Sequence, residues 1–215
     1  MNGGLTLDGI KGLLYITNDN VGEYFEDYMC SLMYEESDEV VYAALELRAE
    51  WVSDSNSSIS LSMEKYLAEW LNLNYKHYSN LPIPKTILTV NQKRAVEAIY
   101  KVTQKLLSSK KIQDVYLYRG FSWSHRPSWV KKGLQEGDTI TIDEQRTLSS
   151  WSFSRGIAEG FVRDNNFGFV VKALMPIERI FAIIDITMES ESVCISHEEA
   201  EEFEVILIIG GDEDE

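Results

Sequence analysis

Cysteine is scarce in this chain: Cys30 and Cys194 are the two in 215 residues. They stand far apart and make neither a metal-ligand spacing nor a Cys-x-x-Cys redox pair. Both are expected to be free thiols, which suits a cytoplasmic protein. Basic residues are also few, 20 Lys and Arg against 35 Asp and Glu, for a net charge of −15. That balance argues against a long basic groove for duplex nucleic acid, though a short single strand remains possible. No apolar run reaches membrane-spanning length, so no membrane partner is expected. The opening Met1-Asn2-Gly3-Gly4 lacks the charged and apolar regions of an export signal. No Gly-x-Gly-x-x-Gly is present, which excludes the usual Rossmann site. No His, Cys and Asp cluster suggests a metal. There is no internal repeat and no long flexible linker.

What is present is a chain with an ordinary apolar fraction, 44%, long enough for one well-packed domain. Its texture changes midway. Residues 1–110 read as mainly helical, with helices expected over Val21 to Tyr34, Glu39 to Val52 and Ser62 to Leu73. A loop is expected at Ser53 to Ser58, and Leu81-Pro82-Ile83-Pro84 reads as an extended connection. The clearest helix runs from Asn91 to Leu107. Ala95, Ile99, Val102 and Leu106 make one apolar face there, and Asn91 suits the N-cap.

Residues 111–210 read as β-rich. Strands are expected at Val115 to Arg119, Thr139 to Ile142, Thr147 to Ser152, Phe167 to Leu174, Arg179 to Ile184 and Phe203 to Ile209. Short helices are expected at Ser128 to Lys132 and Ser154 to Val162. Residues 211–215 form an acidic tail. Helices first and strands later predict an α+β domain, with both halves on one core.

Three short segments carry chemistry. Arg119-Gly120 ends an apolar strand. A guanidinium there can grip a phosphate or ribose oxygen through paired hydrogen bonds, and glycine lets a ligand approach the backbone. The same pair also suits a turn with a structural salt bridge. Ser150-Trp151-Ser152 crowds hydroxyls onto a strand, where they can orient a ribose or a carboxylate. Glu202-Phe203-Glu204 precedes Val205 to Ile209. In a strand, Glu202 and Glu204 share one face and repel, a strain that a functional site can use and an exposed edge can also explain.

An arginine on an early strand, serines on a middle strand and Glu-x-Glu on a late strand, in that order, resemble the arginine–serine–glutamate class of ADP-ribosyltransferases. The class includes bacterial toxins, vertebrate ecto-transferases and bacteriophage enzymes. The resemblance covers Tyr116 to Ile209. Trp151 stands where that class commonly has Thr.

The resemblance implies a helical N-terminal half packed on a mixed, two-sheet β core, with NAD as co-substrate in a cleft between the sheets and no metal. Arg119, Ser150, Glu202 and Glu204 would be catalytic. Arg119, Gly120, Ser150, Trp151, Ser152, Phe161 and Arg163 would bind NAD, with Arg155 and Phe167 as further candidates. Glu204 would stabilise charge on the ribose as nicotinamide leaves. Glu202 would position an acceptor arginine on a target protein. The acidic run Ser190 to Glu201, with His197, would draw in a basic target. The same chemistry on single-stranded RNA or DNA is the alternative acceptor, with Trp123, Trp129 and Trp151 stacking on bases. A non-catalytic module docking an antitoxin or immunity protein is the third reading. A toxin or phage enzyme working in the cytoplasm of a bacterium or an infected host cell fits the first two.

Overall fold

A computed structural model of the chain describes residues 21–76, 81, 84, 86–142, 146–163, 166–184, 191–196 and 199–210. The Met1 to Gly4 start, Pro82 and Ile83, His197, Glu198 and the acidic tail lie outside the described residues. Five α-helices and seven strands follow in the order α1 (Val21–Glu35), α2 (Asp38–Ser53), α3 (Ser58–Leu71), α4 (Val90–Ser109), β1 (Asp114–Trp123), β2 (Thr139–Ile142), β3 (Leu148–Ser152), α5 (Arg155–Arg163), β4 (Phe167–Pro176), β5 (Ile180–Ile184), β6 (Glu191–Ile195) and β7 (Glu201–Ile209). The α+β class is as read from the sequence.

Helix α4 is the longest. It is capped by Thr89 rather than Asn91: the Thr89 hydroxyl accepts from the Gln92 N–H, and the Gln92 side chain accepts from the Thr89 N–H. This reciprocal arrangement satisfies two otherwise orphan donors. Ala95, Ile99, Val102 and Leu106 are buried as the periodicity requires. The face packs on β5, and α1, α2 and α3 pack on α4 in turn. Gln104 fastens the joint by donating to the carbonyls of Ile177 and Ile180, both at 2.8 Å. Helices and strands contribute to one apolar core, from Leu32 and Leu47 to Phe169 and Val205.

The strands form one hydrogen-bonded sheet in the order β2-β7-β4-β1-β3-β6-β5. Every pairing is antiparallel. The expected mixed, two-sheet core is therefore corrected to a single antiparallel sheet. The sheet nevertheless has a seam. Strand β1 pairs with β4 along its whole length but meets β3 at one register pair, Tyr118 opposite Ser152. Ser128 to Lys132, expected as a short helix, is a run of turns and irregular chain. Strand β6 was not expected; its residues read as an acidic loop.

Two contacts fix the elements around the seam. Helix α5 lies so close on β1 that a Cβ at Gly120 would stand 2.4 Å from the Ala158 carbonyl oxygen. Only a residue without a side chain lets helix and strand approach this far. On the opposite flank, Glu64 of α3 and Arg146, just before β3, form a buried ion pair. Arg146 Nη2 and Nε donate to Glu64 Oε2 at 2.6 and 3.2 Å, and Glu64 Oε1 accepts from the Leu148 N–H at 2.8 Å. Arg146 also donates to the Ser55 carbonyl and the Asn56 side chain, each at 2.9 Å.

Replacing Gly120 with Ala forces α5 off β1 and is expected to cost about 1–3 kcal/mol, as overpacking does; a denaturant melt of G120A reads this directly. Removing one partner of the buried pair leaves the other charge stranded. Glu64→Ala is expected to lower unfolding free energy by about 3–5 kcal/mol, whereas the paired change Glu64→Leu with Arg146→Met costs far less. Equal losses for the single and paired variants would contradict this account.

Candidate functional site

A cavity of about 440 Å³ opens at the seam, within the range of small-molecule sites. Its walls come from five elements. Strand β1 gives Tyr118, Arg119 and Gly120. Strand β3 gives Ser150, Trp151 and Ser152. The end of α2 and its following loop give Trp51 to Ser55, while α5 adds Ala158 and Phe161, and β6 adds Glu191. Continued antiparallel pairing beyond Tyr118 and Ser152 would set Arg119 against Trp151 and Gly120 against Ser150. The register stops instead, and those four residues line the cavity.

The polar groups are of complementary types. Arg119 places its guanidinium 4.9 Å from the centre of the Phe121 ring and 6.0 Å from that of Trp151. Cation–π contact of this kind holds a guanidinium flat without neutralising it. Ser150 is exposed to the cavity side and Ser152 is buried. Glu191 stands opposite Ser152 in the sheet, is 7% exposed, and accepts a 3.1 Å hydrogen bond from the Trp51 indole. Tyr118, Ser152 and Glu191 thus form one row across β1, β3 and β6.

The row continues the other way through Lys172 on β4 to Glu204 on β7. Along that row Glu204 stands three strands from Ser152 and four from Glu191. Glu202 and Glu204 are exposed, opposite Thr141 and Thr139 of β2. Neither lines the cavity. Glu202 and Glu204, expected as catalytic, thus stand on the exposed side of β7, apart from the cavity lining. Their strand has Phe203 and Val205 facing the core, so the paired acids simply occupy its solvent side. Their neighbour Glu201 is engaged with Arg179, to which it is joined by two hydrogen bonds.

The other expected residues divide. Arg119, Gly120, Ser150, Trp151, Ser152 and Phe161 come together at the cavity. Trp151 does so mainly as wall: it is 3% exposed, packs on Phe203 and donates to Ser149 Oγ at 3.0 Å. Phe161 is 55% exposed and not core. Arg155 and Arg163 lie exposed on α5, both paired with Glu159, whose carboxyl is held below its usual range chiefly by the Arg155 hydrogen bond. Arg163 is not among the lining residues. Phe167 belongs to the aromatic cluster of Trp123 and Phe169.

Glu191 is the residue that sequence reading missed. A signal was present: Glu189-Ser190-Glu191 is another Glu-x-Glu, followed by Val193-Cys194-Ile195. The shorter apolar run was outweighed by Val205 to Ile209. Glu189 itself lies outside the described residues. Trp51 was equally unmarked, because it comes from the helical half.

Among the described residues no group of three or more His, Cys, Asp or Glu could hold a metal ion, and no helix is long and apolar enough to cross a membrane. Behind the cavity, burial pushes the Cys194 thiol from 9.0 up to about 12, against the lowering effects of the Ser192 hydrogen bond and of the Arg179 and Arg119 charges. Burial likewise raises the Tyr28 phenol from 10.0 to about 12, partly countered by Arg48. Arg48 is lowered by its own burial, with Tyr28 and Glu191 opposing.

Cys194 and Tyr28 therefore stay neutral in the fold while the unfolded chain ionises at those sites near pH 9 and 10. Unfolding releases protons in that window, so stability falls as pH rises from 9 towards 12. Thermal unfolding between pH 8 and 11 is expected to show this fall, and Cys194→Ala with Tyr28→Phe to flatten it.

Compared with known proteins, the chain matches no protein-family model, no curated protein and no solved structure.

Proposed function

We propose that the chain is a mono-ADP-ribosyltransferase that splits NAD, releases nicotinamide and passes ADP-ribose to an arginine side chain of a target protein. One observation carries the reading: a guanidinium, two serine hydroxyls and a buried carboxylate, from three strands, surround one cavity at a break in strand pairing. The reading keeps Arg119 and the serines and replaces Glu204 with Glu191.

The donor set suits the molecule. NAD supplies a ribose–nicotinamide bond whose electron pair departs with the ring. Arg119 is suited to a phosphate or ribose oxygen through paired hydrogen bonds. Gly120 offers backbone groups to the nicotinamide amide. Ser150 and Ser152 hold ribose and carboxylate in register. Glu191 is the fixed negative charge that favours a sugar turning positive as the bond breaks. A nitrogen of the acceptor guanidinium then bonds to the anomeric carbon, and the proton it sheds passes to a carboxylate. Glu189, two residues before Glu191, has the spacing for that role. The net charge of −15 favours encounter with basic protein targets.

The nucleic-acid alternative relied on three tryptophans. Trp151 is buried against Phe203, and Trp123 is packed among Phe121, Phe167, Phe169 and Trp129. Trp129, 51% exposed, is the one of the three left open to a base, and the net charge of −15 disfavours a nucleic acid, so protein arginine is kept as the acceptor.

Release of nicotinamide and transfer of labelled ADP-ribose to a basic protein are the assays. Glu191→Gln is expected to lower kcat by about 10²- to 10³-fold, and Glu204→Gln to leave it unchanged. A fully active E191Q variant, or a wild-type chain that leaves NAD intact, would overturn the assignment.

A further inference from the structure

The helical half reaches the carboxylate at the cavity floor through an indole hydrogen bond, and that contact is built in two layers. Trp51 is 4% exposed, and its indole N–H reaches Glu191 across 140 residues of sequence. A tryptophan N–H is donor only, so it holds an oxygen of its partner and restricts rotation of the carboxyl group. Over its ring, Trp51 has the Arg146 guanidinium 5.4 Å from the ring centre. Arg146 is fixed in turn by Glu64 and by the loop atoms Ser55 O and Asn56 Oδ1. Glu64 closes the chain of contacts by accepting from Leu148, the first residue of the strand that carries Ser150 and Ser152.

We propose that Trp51 is a positioning residue for Glu191 and that the buried Arg146–Glu64 pair seats Trp51. The role assigned to Glu191 rests on the transferase reading above. The physical reason for two layers is rigidity. A carboxylate stabilises developing charge only if it is already oriented when the charge appears. A ring held at its N–H edge by a carboxylate and over its face by a bonded guanidinium has little freedom to turn. The ion pair also costs free energy to bury and is a weak contributor to stability. A positioning role gives it a purpose that an apolar pair of equal volume would not serve.

The experiment uses the full chain and three variants: Trp51→Phe, which keeps the ring and removes the N–H, Glu191→Gln, and Arg146→Met with Glu64→Leu. NAD affinity of Trp51→Phe is expected to stay near wild type while kcat falls by about 10- to 100-fold, as loss of an orienting partner does. In a Glu191→Gln background the same change is expected to cost less than about twofold. A merely structural tryptophan would cost the same in both backgrounds, and that result would overturn the proposal.

A second readout needs no catalysis. With indole-¹⁵N labelling of the five tryptophans, the signal missing from Trp51→Phe identifies Trp51. It is expected to be protected from solvent exchange, to shift in Glu191→Gln, and to broaden or move in the paired Arg146 and Glu64 variant. A Trp51 signal that exchanges freely and ignores both changes overturns the proposal, whether or not the chain consumes NAD. A wild-type chain inert towards NAD with the expected indole behaviour would reject the transferase reading and leave the positioning contact standing.

Discussion

Strands β1 and β3 meet at one register pair and then turn their edges to a cavity instead of to each other. That break is the constraint on which the site depends. A sheet satisfies its backbone groups by pairing; where pairing stops inside a sheet, something else must line the gap. Here it is side chains from both edges, a helix close-packed on one flank and a helix-derived loop on the other. The seam thus gathers an arginine, two serines and a glutamate that belong to different strands.

The surroundings hold the gap open at a fixed width. Gly120 lets α5 sit directly on β1, which sets one wall. Glu64 and Arg146 tie α3, the loop after α2 and the start of β3 into one buried polar network, which sets the other. Such a network is favourable only when its members are satisfied together. It ties the helical half to the site: the same arginine that meets Glu64 backs the indole that meets Glu191. The helices are part of the site's construction and not merely a platform beneath the sheet.

Much of this was legible from residue patterns. The apolar face of α4 and the β-rich second half follow from periodicity, while the grouping of Arg119, Gly120, Ser150 and Ser152 was implied by the family resemblance. Glu191 was passed over for a physical reason. A Glu-x-Glu before a strand looks the same whether its carboxylates face a cavity or water, and this chain carries one at Glu189 to Glu191 as well as at Glu202 to Glu204. Alternation says which residues share a face; it does not say which neighbour the strand will have. Position in the sheet decided between them, with β6 beside β3 and β7 on the far side of β4.

By itself, the sequence determined the class of fold, the order of its elements and the kinds of side chain available for chemistry, because helix and strand periods and turn residues act over short distances. Only the tertiary structure decided which carboxylate joins the serines, that the sheet is single with a seam, and that a tryptophan from the helical half reaches the site. Those facts depend on strand order and on contacts spanning more than a hundred residues, which local spacing does not encode.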